Sequence, residues 1–151
     1  RTGRNPYMNK ELNDLIRYRI DRAREAIEEA QILVDSGHWN TSVNRLYYGC
    51  FYAVSALLTK HDMSSSKHSG VRSFFNHNFV KSGIFPKETA VIYNSLFERR
   101  QEGDYEPYVV FKQSEVCHWL KETETFVNAI IKLIEQDEEK AAGSSAIVAS
   151  E

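Results

Sequence analysis

Val43-Asn44-Arg45-Leu46-Tyr47-Tyr48-Gly49-Cys50-Phe51-Tyr52-Ala53-Val54-Ser55-Ala56-Leu57-Leu58 decides the fold. Read at helical period, one face carries Val43, Leu46, Tyr47, Cys50, Val54, Leu57 and Leu58. The opposite side carries Tyr48, Phe51, Tyr52 and Ser55, so the stretch is apolar nearly all round. A helix of that kind is buried on every side, at the centre of a bundle or against a partner. The pattern predicts it over residues 39 to 61.

Helical patterns continue on both sides. Leu12, Leu15, Ile16, Ile20, Ala23, Ile27, Ala30, Leu33 and Val34 predict a long amphipathic helix over 9–36, stopped by Gly37. After the cap-rich Ser64-Ser65-Ser66, a shorter helix is expected over 67–81. Gly83 and Pro86 bound the next turn, with Pro86 suited to a first helical position. A fourth helix is expected to about Glu102, with Gly103 ending it, and a fifth from near Gln113 into the charge run 135–140. No internal repeat is visible, and Val109-Val110-Phe111 is too short to weigh as a strand. The expected fold class is all-α, an up-and-down bundle of four to five helices.

With 151 residues the chain suits one domain, and 42% hydrophobic and 12% aromatic content suffice for a core. The net charge of −2 supplies no overall basic field, so contact with RNA requires a local patch. Cys50 and Cys117 sit in helical patterns without metal-ligand spacing and read as free thiols of a reducing cytoplasm. No metal or cofactor motif is present. No apolar run approaches the roughly 20 residues that span a bilayer. The expected division is a vector-derived remnant over 1–7 before a native Met8, a helical domain over 8–140, and a flexible tail over 141–151.

Arg99-Arg100-Gln101-Glu102-Gly103-Asp104-Tyr105 holds the chemistry. The stripe Thr89, Ile92, Tyr93, Leu96, Phe97 places Arg100 in its middle, aimed at the core. A guanidinium there is costly unless paired, and Asp104 and the Tyr105 hydroxyl are the next groups able to pair. The corner is then either an ion-paired helix end or a seat for phosphate. His68, after Lys67, opens the third helix; in an up-and-down order that start lies at the same end as Arg100. Tyr47, Tyr48, Phe51 and Tyr52 form either core packing or a base-stacking platform. Arg45 either meets an acidic neighbour or reaches a phosphate. Arg17, Arg19, Arg22 and Arg24 make a local positive strip, read first as a solvated surface.

The segment Asn44 to Ala53, with Lys67-His68-Ser69-Gly70-Val71, Phe79-Val80-Lys81-Ser82-Gly83 and Arg100-Gln101-Glu102-Gly103-Asp104-Tyr105, resembles the HEPN family over residues 9–135. The resemblance is to its stand-alone prokaryotic branch, with its Arg-Gln-x-Gly-Asp-Tyr helix ending. It implies a helical bundle, a homodimer, and a setting in toxin–antitoxin or defence pairs beside a nucleotidyltransferase. Many members are metal-independent RNases in which an Arg holds the scissile phosphate and a His, four to six residues on, moves the proton. In this sequence no His follows Arg100 at that spacing; Asp104 follows Arg99, and Tyr105 follows Arg100, after four intervening residues. A carboxylate beside phosphate repels it, and a tyrosine near pKa 10 is a poor base.

The expectation is therefore a nucleotide- or RNA-associated binding module, with ligand contacts from Arg100, Asp104, Tyr105, Lys67, Arg45 and Tyr48. The alternative is an endoribonuclease using Arg100 with His68 or Tyr105. A third reading is a structural dimerisation module, with Tyr105 or Tyr108 open to a modifying partner. All three are expected to act in the cytoplasm without a cofactor or membrane attachment.

Overall fold

Small residues set the closest helix contact. In α1 (Pro6–Asp35), Ala23, Ala26 and Ala30 are fully buried. They face α2 (Trp39–Lys60), where Gly49 lies so near that a Cβ there would sit 3.3 Å from Ile27 Cγ1 and 3.6 Å from the Ala23 carbonyl oxygen. The Ser42 hydroxyl closes the contact by donating to the Ala30 carbonyl at 2.8 Å. Gly37, in the left-handed region at φ 81°, turns the chain between them.

This computed structural model describes the backbone of residues 6–150 and the side chains of residues 7–136. After α2 come α3 (His68–Phe75), a π-helical turn (Asn76–Val80), α4 (Lys87–Tyr105) and α5 (Gln113–Ser150). The described residues hold no strand. α2 packs against α1, α3, α4 and α5, as an all-round apolar helix requires. Among the described residues no helix is long and apolar enough to cross a membrane.

Several expected boundaries shift. The single helix over 67–81 is instead α3 followed by the π turn. Pro86 stands just before α4 at φ −62°, capping it rather than opening it. Gly103 does not end α4, which continues to Tyr105. Its role is steric: a Cβ there would meet Phe111 Cε2 at 2.8 Å. α5 runs past the charge run to Ser150. The expected remnant over 1–7 lies largely outside the described residues, and the expected tail over 141–151 lies outside the described side chains.

The core is aromatic where α2, α3, α4 and α5 meet. Phe75, Phe85, Tyr93 and Phe126 are almost wholly buried and touch one another at centroid distances from 5.4 to 5.8 Å. Tyr93 also stacks on Tyr47 at 6.3 Å, which joins the cluster to the half-buried Tyr48 and Phe51 of α2. The Tyr93 hydroxyl is buried without a hydrogen-bond partner, and burial pushes its pKa up. A desolvated, unpaired hydroxyl costs stability. Tyr93→Phe is therefore expected to raise the urea unfolding free energy by about 1 kcal/mol; an unchanged or lower midpoint would show that the hydroxyl is satisfied in solution.

Candidate functional site

Three helices bring polar groups together at the middle of α2. α2 contributes Tyr47, Tyr48 and Phe51, the start of α3 contributes His68, and the last turns of α4 contribute Phe97 and Arg100. Tyr47 is the hub and its ring is fully buried. The Arg100 guanidinium carbon lies 4.4 Å from the Tyr47 ring centroid and 5.9 Å from that of Tyr48. The Tyr47 hydroxyl shares a hydrogen bond of 3.1 Å with His68 Nδ1. The imidazole rests on Phe51 at 4.3 Å and meets Tyr48 edge-on at 5.7 Å. Arg72, one turn beyond His68, lies over Phe97 at 3.9 Å.

The corner is electropositive. Arg100 is half-buried, and its Nε is buried with no hydrogen-bond partner. Among the described residues no carboxylate forms an ion pair with it; aromatic faces are its contacts. Burial, and then the Arg100 charge, hold the His68 pKa below its ordinary 6.5, so the imidazole is neutral at neutral pH. Burial pushes the Tyr47 hydroxyl up to about 12, against the pull of Arg100, so it stays protonated. The arrangement offers a fixed positive charge and uncharged hydrogen-bonding groups. It can accept an anion such as phosphate, and His68 can exchange a proton near it.

The inward aim of Arg100 and the nearness of His68 agree with the sequence reading, while the expected partners of Arg100 do not. The Asp104 carboxylate accepts from Asn44 Nδ2 at 3.1 Å and is tied to α2. Tyr105 is 77% exposed, because α4 continues through Gly103 and carries it away from Arg100. It borders a shallow surface with Glu98, Glu102 and Glu106, which would repel phosphate. Asp104 and Tyr105 therefore stand outside the corner. Arg45 meets an acidic neighbour, Glu29 on α1, at 3.2 Å, and lies 5.4 Å from the Tyr48 ring. Tyr48 thus sits between Arg45 and Arg100. Lys67 caps α3 with an exposed side chain beside His68.

Helical spacing marks Tyr47 as packing or a stacking face and gives no sign of its hydroxyl as the link to His68. Arg72, absent from the expected site residues, carries one signal in the sequence, its i, i+4 spacing from His68. Of the arginine strip, Arg22 pairs with Glu25 at 2.6 Å and Arg19 donates to the Thr59 hydroxyl, as surface and packing roles require. No cluster of three or more His, Cys, Asp or Glu side chains able to hold a metal occurs among the described residues.

Compared with known proteins, residues 16–135 match the HEPN domain family model. The chain belongs to the HEPN family. A UPF0332 protein of Thermotoga maritima is 45% identical over 125 residues, covering 83% of this chain and 95% of that protein. Two proteins of Methanocaldococcus jannaschii, each named "Putative toxin", are 30% and 28% identical. These matches cover 76% and 85% of this chain, and 78% and 96% of those proteins. The HEPN assignment agrees with the all-α architecture and with the expected family. In this HEPN chain Tyr47 and Tyr48 from the middle of α2, His68 from the start of α3 and Arg100 from the last turns of α4 build the polar corner.

A neutral His68 beside Arg100 has a pH consequence. Its folded-state pKa lies below the unfolded value, so the unfolded chain binds the proton more readily as pH falls. The stability tied to its neutral form is present above about pH 6.5 and is lost as pH falls below it. A proton NMR titration is expected to place His68 below 6.5 in the native chain. In Arg100→Gln the value should rise but stay short of 6.5, because burial is the larger cause. A pKa that does not move would show that the Arg100 charge is not felt at the imidazole.

Proposed function

We propose that the chain is a HEPN module of a toxin–antitoxin pair that seats a phosphate of RNA or of a nucleotide on Arg100. The observation that carries this reading is the guanidinium itself: packed on Tyr47 and Tyr48, its Nε buried and unpaired, with no ion-pairing carboxylate among the described residues. A partly buried positive charge gains from a partner, and an arriving phosphate supplies one. Lys67 adds an exposed cation beside His68, and Tyr48 offers a half-exposed aromatic face. The names of the archaeal relatives support the toxin–antitoxin setting. The reading includes a homodimer, in which two such corners face one cleft, and a nucleotidyltransferase as protein partner.

A second reading, an endoribonuclease, is favoured by one contact, the hydrogen bond between the Tyr47 hydroxyl and His68 Nδ1. With its proton on Nδ1, donated to the Tyr47 oxygen, the imidazole presents a lone pair at Nε2. That nitrogen can take the proton of a ribose 2′-hydroxyl, while Arg100 neutralises charge on the phosphate. His68 thereby takes the place of the histidine that does not follow Arg100 in sequence.

Fluorescence anisotropy with a labelled oligoribonucleotide and with a labelled adenine nucleotide tests the first reading. Arg100→Gln is expected to weaken binding about tenfold or more, the loss of one charge-assisted contact. Native affinity in this variant, or no binding by the native chain, rules the phosphate seat out. Incubation of the oligoribonucleotide in EDTA separates the second reading. Cleavage lost in both Arg100→Gln and His68→Ala supports the RNase, and cleavage unchanged in both identifies a contaminant.

A further inference from the structure

A second surface adjoins the Arg100 corner through Arg72. Between the α3–π segment and α4 runs an open groove of about 890 Å³. Its cations are Arg72, Lys81 and Lys87, and Glu98 is the one carboxylate among its lining residues. None of the three cations forms an ion pair among the described residues, although Arg22, Arg45 and Arg99 each have a glutamate. In a chain of net charge −2, this is a local positive site.

Apolar groups continue the groove, with Val80 and Ala90 along it and Val91 52% exposed. Its width is fixed from within. Asn76 of the π turn and Asn94 of α4 exchange amide hydrogen bonds of 2.9 and 3.3 Å. A groove already held open costs little to occupy. π turns inside helices occur frequently at functional sites.

Aliphatic side chains flanked by cations, between two helices, match an amphipathic helix carrying carboxylates beside its aliphatic face. The lining contains no Phe, Tyr or Trp and His77 is its one ring, so the groove lacks the row of aromatic faces on which successive bases of a nucleic acid stack. We propose that this groove docks an acidic, aliphatic helix of a protein partner. Arg72 borders both surfaces, but the inference rests on Lys81 and Lys87 and uses neither Arg100 nor His68.

The test uses a fluorescein-labelled helical peptide of about four turns, with leucines on one face and flanking glutamates. A counterpart with lysines for the glutamates and a labelled oligouridylate are the controls. The acidic peptide is expected to bind the native chain, and to bind more weakly as salt is raised. Lys81→Glu with Lys87→Glu is expected to weaken it about tenfold, since two attractive contacts become repulsive. Both lysines are exposed, so this variant is expected to keep the native circular dichroism spectrum. Arg100→Gln is expected to bind the peptide as the native chain does. Failure of the acidic peptide to bind, equal affinity for the lysine peptide, or native affinity in the double variant overturns the proposal. It is also overturned if the oligouridylate is the probe that the double variant loses, which would make the groove a nucleic-acid surface. An oligouridylate that binds the double variant normally but not Arg100→Gln leaves the phosphate seat intact whatever the peptide does.

Discussion

Burial of α2 on every side is the constraint from which the rest of the structure follows. A helix that is apolar nearly all round leaves water only if other helices enclose it, and α1, α3, α4 and α5 do so. Gly49 and the buried alanines of α1 decide which neighbour comes closest. Tyr47, Tyr48 and Phe51 lie midway along α2, where the start of α3 and the last turns of α4 pack against it. The polar corner is thus built on the most enclosed element of the fold. Its rings are held by core packing, and Tyr47 is stacked on Tyr93 beneath.

That placement explains how a cation is kept without a carboxylate. Arg100 gains from the faces of Tyr47 and Tyr48, and its stem completes the apolar stripe of α4. The aromatic seat is rigid, so the guanidinium is held in place before any ligand arrives. His68 is oriented by the same ring system through the Tyr47 hydroxyl and the Phe51 face. Burial and the neighbouring charge keep it neutral. The alternative, an Arg100–Asp104 pair, would have closed the corner. Asn44 diverts that carboxylate to the side of α2.

Much of the architecture was legible because helical periodicity and the apolar encirclement of α2 are properties of the chain itself. The inward aim of Arg100 was legible for the same reason. Hydrogen bonds between residues distant in sequence were not. Nothing in the order of residues says that Asn44 reaches Asp104 or that the Tyr47 hydroxyl finds His68, since both depend on the angle at which helices cross. Gly103 was misread because a glycine near a helix end usually marks a stop. Here the demand came from Phe111 pressing on α4, a tertiary contact. The π turn left no mark on the sequence because its side chains fit an ordinary helix equally well.

The stretch Val109-Val110-Phe111 has the look of a strand and no sheet to join. Asn40, in the first turn of α2, provides what a neighbouring strand would. Its amide nitrogen donates to the Val109 carbonyl at 2.8 Å, and its amide oxygen accepts from the Phe111 N–H at 2.9 Å. One side chain thus stands in for a peptide group and pairs with the two backbone groups a ladder would use. The connection from α4 to α5 is thereby spliced to the central helix rather than left to hang from its own ends. Phe111, drawn in by that splice, is the wedge against Gly103. A single amide on α2 therefore ties the α4–α5 connection to the central helix and holds Phe111 against α4 one turn beyond Arg100.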